Sequence, residues 1–198
     1  MAKVTLGPRT LVYPMPAFLV GANVNDKPNF MAVGWGGIAS SQPPMISVAI
    51  RPRRYTYKGI KQTGNFSVNI PSQDMVIETD YCGIVSGEKA DKVSVCRFNV
   101  FYGKLANAPM IEQCPINLEC SVVHILGLGS HALVIGKIEE THITEACLTD
   151  GKPDVAKIKP IIYSEGLSSQ YQAFGEFIAS AYRVGRKLKK RKNSYLAH

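Results

Sequence analysis

Short apolar runs broken by Gly, Pro, Asn and Ser recur along this chain, and where polar residues interleave them they do so at every second position. That period belongs to strands. The clearest case is residues 116–126, Ile-Asn-Leu-Glu-Cys-Ser-Val-Val-His-Ile-Leu. A Gly127-Leu128-Gly129-Ser130 turn follows, and then a second run, 131–138, continued by 139–143. The pair reads as one long antiparallel hairpin. Residues 17–23 are apolar enough for a buried strand. Asn25-Asp26-Lys27-Pro28 carries turn chemistry and joins it to a strand at 30–35. A turn of Gly-Gly, Ser-Ser and Pro-Pro separates that strand from the next, 45–50. Residues 65–70 give another strand, with Phe66, Val68 and Ile70 on one face. Residues 95–101 and 160–163 read as shorter strands, 3–13 as a lead-in forming an edge strand or loop, and 107–115 as a loop.

Helical signals are fewer. Residues 57–63 suit a short helix, with Thr56 as its N-cap and Gly64 as its stop. Ser72 is placed to cap a helix beginning at Asp74, and 82–87 reads as a bent loop. Residues 171–190 have the spacing of an amphipathic helix with Phe174, Phe177, Ile178, Ala181 and Tyr182 on its apolar side. Strand and helix do not alternate regularly, which argues against a doubly wound α/β fold. Many antiparallel strands with few helices argue for a mainly β, Greek-key or closed barrel, because closure removes exposed edges. The organisation expected is one domain over residues 1–182 and a basic tail over 183–198.

The charge changes little once it is located. The 198 residues carry a formal +8, and seven of those charges (Arg183, Arg186, Lys187, Lys189, Lys190, Arg191 and Lys192) lie in the tail, so the remainder carries +1. Such a tail solvates a chain end or meets an acidic partner; it does not point to nucleic-acid recognition. With 45% hydrophobic and 19% charged residues, the chain has the material for a packed core. Five cysteines, odd in number and without Cys-x-x-Cys spacing, read as reduced thiols. No signal-peptide pattern and no apolar run of membrane-spanning length is present. The expectation is a soluble, cytoplasmic protein that engages no membrane.

Candidate chemistry concentrates at residues 51–56. Arg51, Arg53 and Arg54 end one strand and Thr56 opens a helix. Free helix N–H groups, the positive dipole end and guanidinium forks together make a phosphate-sized site. A solvated Arg cluster is the competing reading of the same residues. Gly127-x-Gly129 lacks a third glycine and lies between strands, so it is no dinucleotide fingerprint. No phosphate-binding P-loop and no Gly-x-Ser-x-Gly elbow occurs, and His124, His131, His142 and His198 have no metal-site spacing. His131 opens a strand beside a Gly-rich turn, where its side chain can face a pocket. Trp35, the single Trp, stands beside Gly36-Gly37.

The order of these motifs resembles the flavin reductase-like, FMN-binding split-barrel family, in its flavoredoxin and ferric-reductase branch. It rests on Tyr13-Pro14-Met15-Pro16, the runs 29–35, 43–50, 64–71 and 129–138, and Thr56, Ser86-Gly87 and Asp91-Lys92. The resemblance implies a split-barrel homodimer with noncovalent FMN near the subunit interface. By position, Asn29, Met31, Ala32 and Val33 would run beside the flavin ring with Trp35 close by. Ser47, Val48, Ala49, Ile50 and Arg51 would supply contacts from the next strand, and Arg54 and Thr56 would take the phosphate. Ser86, Gly87 and Lys92 match the loop over the cofactor, Lys92 being the candidate donor to the ring. His131 matches the residue near flavin or nicotinamide, with Ser130 where an acid is usual. The implied activity is an NAD(P)H-dependent flavin or ferric reductase passing electrons to a small-molecule or protein acceptor. The alternatives are an electron carrier without its own nicotinamide reaction and a non-redox ligand-binding dimer.

Overall fold

In the computed structural model, which describes residues 1–165, 169–186 and 188, an exposed lead-in precedes β1 (Met15–Pro16). Two hairpins follow: β2 (Phe18–Val24) with β3 (Lys27–Val33), and β4 (Gly36–Ser41) with β5 (Pro44–Ile50). Then come α1 (Tyr55–Thr63), β6 (Asn65–Ile70), α2 (Val76–Ile84), α3 (Lys92–Val95), β7 (Val100–Phe101) and β8 (Met110–Ile111). The long hairpin is β9 (Ile116–Leu128) and β10 (His131–Ile143). It is followed by β11 (Leu148–Thr149), β12 (Lys152–Pro153), α4 (Val155–Ile158), β13 (Ile161–Ser164) and β14 (Gln170–Ala173).

Seven strands form one antiparallel sheet in the order β3-β2-β6-β9-β10-β5-β4, and β1, β13 and β14 form a second. The large sheet curls until β3 meets β5, giving a split barrel. Its filling follows the two-residue period. Ile46, Val48 and Ile50 of β5 and Val134 of β10 point inward to join Val20, Phe66, Val68 and Cys120. A second core lies outside the barrel, where Leu19 and Phe30 point away from it and meet Met75, Cys82, Phe98, Ile111 and Cys114. β2 is buried along its whole length because both of its faces are covered. Asn25 and Asp26 take positive φ of 50° and 61°, the geometry of a two-residue hairpin turn with the strands' own twist.

Several expected elements differ. Residues 36–41 form β4 and not a turn. Pairing continues through them, and the reversal falls at Gln42-Pro43. Ser72 makes no side-chain cap, and α2 continues through Cys82, Gly83 and Ile84, where a loop is expected. Lys92–Val95 is helical and capped by Asp91, which accepts from the Ser94 N–H at 3.1 Å. The strand expected at 95–101 shrinks accordingly to β7. The terminal helix is also replaced as far as Gly185: Tyr171 lies in β14, and coil and turn follow. Helices draw most of their stability from burying an apolar face, and here Phe174, Phe177, Ile178 and Tyr182 are exposed, with nothing among the described residues to cover them. The tail beyond Leu188 lies outside the described residues.

A buried amide holds the second core to the sheet. Asn69 donates from Nδ2 to the Leu19 carbonyl at 2.8 Å and to Ser67 Oγ at 3.0 Å. Its Oδ1 accepts from the Ile111 N–H at 3.0 Å and from Asn117 Nδ2 at 2.8 Å. Asn69→Ala would leave several buried partners unpaired, at about 1–3 kcal/mol for each group stranded. Urea unfolding should therefore show a loss of at least about 2 kcal/mol at an unchanged m-value.

Candidate functional site

β3 is the end strand of its sheet, so alternate backbone groups along its outer edge have no strand to pair with. The protein covers this edge in part. The Phe30 carbonyl accepts from Lys92 Nζ at 2.8 Å, and the same ammonium donates to the Cys82 carbonyl at 2.9 Å. Two residues on, Ala32 turns its backbone the same way, toward an open cleft of about 490 Å³. The cleft lies between β3, the end of β5, the start of β10, the last turn of α2 and the β13–β14 pair.

One wall is apolar: Met31, Ala32, Val33, Ala49 and Ile50. Arg51 and Arg54 stand at its edge. Arg54 is the N-cap of α1 and makes no side-chain cap bond, so the guanidinium reaches across to the Gly83 carbonyl at 3.4 Å. α1 has no acid in its first turn, which leaves the positive end of its dipole uncompensated. Two guanidinium groups thus stand at one end of an apolar slot, beside the N-terminus of α1.

Trp35 and His131 stack at the mouth, ring centroids 4.6 Å apart and 31° from parallel. Ser130 Oγ lies 2.9 Å from His131 Nδ1. Burial, and then the Arg51 guanidinium, hold the His131 imidazole below its ordinary value of 6.5. At neutral pH this side chain is therefore uncharged, and it offers a hydrogen bond where a charge could have been.

Nine of the sixteen expected residues line the cleft: Met31, Ala32, Val33, Trp35, Ala49, Ile50, Arg51, Arg54 and His131. The other seven do not. Val48 is core, and Ser47 donates to the Gly37 carbonyl at 3.3 Å. Thr56 is not the N-cap. The turn closes two residues earlier, with the Arg54 N–H on the Arg51 carbonyl at 2.9 Å, and Thr56 sits buried within α1. Its Oγ1 accepts from Asn29 Nδ2 at 2.7 Å. Gly87 closes over this pair so tightly that a Cβ there would overlap Asn29. Ser86 Oγ accepts from the Glu88 N–H at 3.3 Å. Lys92 is a correction in role as well as place: it is 4% exposed, and its ammonium fastens α2 to β3 instead of facing the cleft.

The remaining wall is one that sequence reasoning missed. Tyr163, Glu165, Ser169 and Tyr171 come from the β13–β14 pair, and Asp80, Gly83 and Ile84 from α2. Tyr171 donates its hydroxyl to Asp80 Oδ1 at 3.1 Å, and Tyr163 to Ser169 Oγ at 3.0 Å. Burial, and then the Asp80 bond, push the Tyr171 phenol well above its usual range, so it remains a donor. The run Ile161, Ile162 and Tyr163 signals a strand, but nothing local says that its partner β14 reaches α2 through Tyr171.

With the geometry in view, the family model for the flavin reductase like domain matches residues 9–166. The chain belongs to the flavin reductase-like family. It is similar to a flavoredoxin from Methanosarcina acetivorans, with 41% identity, TM-score 0.90, and coverage of 95% of this chain and 100% of that one. A flavoredoxin of Desulfovibrio vulgaris shows 40% identity, TM-score 0.86, and coverage of 93% and 100%. An uncharacterized protein of Archaeoglobus fulgidus is 34% identical over 73% of this chain and 80% of its own length. Among the described residues of this family member, no group of His, Cys, Asp and Glu forms a metal site, and no helix is long and apolar enough to cross a membrane.

The electrostatics of the cleft can be checked at His131. An NMR pH titration should find its midpoint below 6.5, and Arg51→Ala should raise it, because removing a neighbouring cation favours the protonated ring. A midpoint indifferent to Arg51 would show that the guanidinium does not act on the imidazole.

Proposed function

We propose that this chain binds FMN noncovalently in the cleft beside β3 and transfers electrons through it. One observation carries the reading: a flat apolar wall along a free strand edge runs into two guanidinium groups and a helix N-terminus. A planar ring attached to a phosphate needs that combination. The residues fit the group. Arg51, Arg54 and the first amides of α1 would take the phosphate, while Met31, Ala32 and Val33 would lie along the ring and Ala32 would offer backbone groups to its polar edge. Thr56, Asn29 and Gly87 would support the phosphate end from behind by fixing α1 against β3.

Bound FMN would supply reversible redox chemistry, and the protein's part is orientation, hydrogen bonding and exclusion of water. Trp35 and neutral His131 border the mouth, where a nicotinamide ring from NADH or NADPH would stack. This is the reductase reading, with free flavin, ferric iron or another small molecule as acceptor. A second reading, an electron carrier that meets only protein partners, is favoured by the similarity to two flavoredoxins. A homodimer accords with the exposed Ile125, Leu126 and Leu128 at the tip of the long hairpin and with exposed Phe174, Phe177 and Ile178. The basic tail would then be a docking element for an acidic partner, separate from the domain ending near residue 182. Five free thiols fit a reducing compartment such as the cytoplasm.

Reconstitution with FMN should give a yellow protein. Anaerobic NADH or NADPH should bleach its absorbance in the reductase reading and leave it unchanged in the carrier reading; failure to take up FMN would end both. Arg54→Ala should weaken FMN binding by about 1.5–3 kcal/mol, read as a tenfold to roughly hundredfold rise in Kd by fluorescence titration. An unchanged Kd would remove the phosphate from this end of the cleft.

A further inference from the structure

The lining of the cleft carries both signs of charge. Arg51 and Arg54 stand at one end, and a different wall carries Asp80 from α2 and Glu165, the residue after β13. Asp80 is exposed and Glu165 half-buried, and among the described residues neither carboxylate enters an ion pair. Two tyrosines stand with them. The Tyr163 and Tyr171 rings have centroids 5.8 Å apart and lie 52° from parallel. The Tyr171 hydroxyl donates to Asp80 Oδ1 at 3.1 Å, which holds ring and acid together. Tyr163 packs on the backbone of Gly34, where a Cβ would come within 3.1 Å of its ring, so the tyrosine wall abuts the residue before Trp35.

We propose that Asp80, Tyr163, Glu165 and Tyr171 select the second molecule to enter the cleft, and that they select a cationic aromatic one over neutral or anionic molecules of the same size. This selectivity rests on the flavin reading above for what occupies the rest of the cleft. A phosphate taken by Arg51 and Arg54 offsets the two positive charges of the lining. What then faces an arriving molecule is a pair of carboxylates without counter-ions, set beside aromatic rings. Ring faces attract a cation through their quadrupole. Carboxylates add a charge attraction that a groove with apolar walls focuses. His131 is held neutral by burial and by Arg51, so it adds no opposing charge at the mouth.

The test titrates the full chain with 1-methylnicotinamide, nicotinamide and nicotinate, which share one ring and are cationic, neutral and anionic at neutral pH. Binding is read from the NMR signal of the Trp35 indole N–H, because Trp35 is the single Trp of the chain and lines the cleft. Each series is run on flavin-free protein and on protein incubated with FMN, with FMN uptake followed separately by absorbance. In the presence of FMN the cation should bind at least about fivefold tighter than nicotinamide, with nicotinate weakest. Added NaCl should weaken the cation and leave nicotinamide unchanged. Asp80→Asn and Glu165→Gln should each cut the advantage of the cation by roughly twofold to fivefold, with nicotinamide binding unaltered.

The proposal is overturned if nicotinamide or nicotinate binds the FMN-loaded protein as tightly as the cation, or if the preference survives both substitutions. The wild-type series and its salt dependence decide this even where a variant fails to fold. A protein that takes up no FMN refutes the flavin reading instead. The preference for the cation over nicotinamide on the flavin-free chain then decides the selectivity of this wall by itself, its presence upholding the assignment and its absence ending it.

Discussion

An unpaired strand edge is a hazard that proteins cover or blunt, and the cleft exists because β3 is covered along only part of its length. Lys92 closes one stretch by spending its ammonium on the Phe30 and Cys82 carbonyls. Desolvating a cation in this way is unfavourable, and burial accordingly lowers the Lys92 pKa; two charge-assisted bonds offset that cost. The tie fixes α2 at a set distance from β3 and leaves the next residues of the edge open. Where the tie stops, the cleft begins.

From that constraint the rest of the site is placed by the barrel. β5 runs alongside β10, so the arginines at its end and the histidine at the start of β10 arrive together: Ile50 pairs with Ala132. α1 then packs on β2 because Gly59 lets the helix approach the Asn23 carbonyl closer than any side chain would permit. The Asn29–Thr56 bond completes the attachment. The electropositive end is therefore a product of sheet pairing and helix packing together.

Much of this was legible in the chain because it depends on short-range pattern. The two-residue period of β5, β9 and β10, the Asn25-Asp26 turn and Gly64 as the stop of α1 are all local signals. The cationic strand end was legible for the same reason. The errors fell where tertiary contacts decide. Thr56 has the chemistry of a cap, but Asn29, distant in sequence, claims its hydroxyl. Lys92 looks like a free donor until two backbone carbonyls are brought to it. The segment after Tyr171 has a helical spacing of apolar residues, but spacing alone cannot supply the surface such a helix would need.

The hydroxyl of Tyr171 and the carboxylate of Asp80 join positions 91 residues apart. The family match ends at residue 166, before β14 begins. Anyone trimming a recombinant version to that boundary would delete Ser169 and Tyr171 from the cleft along with the apparently dispensable end. The resulting protein would keep its barrel while its cleft lacked part of its lining.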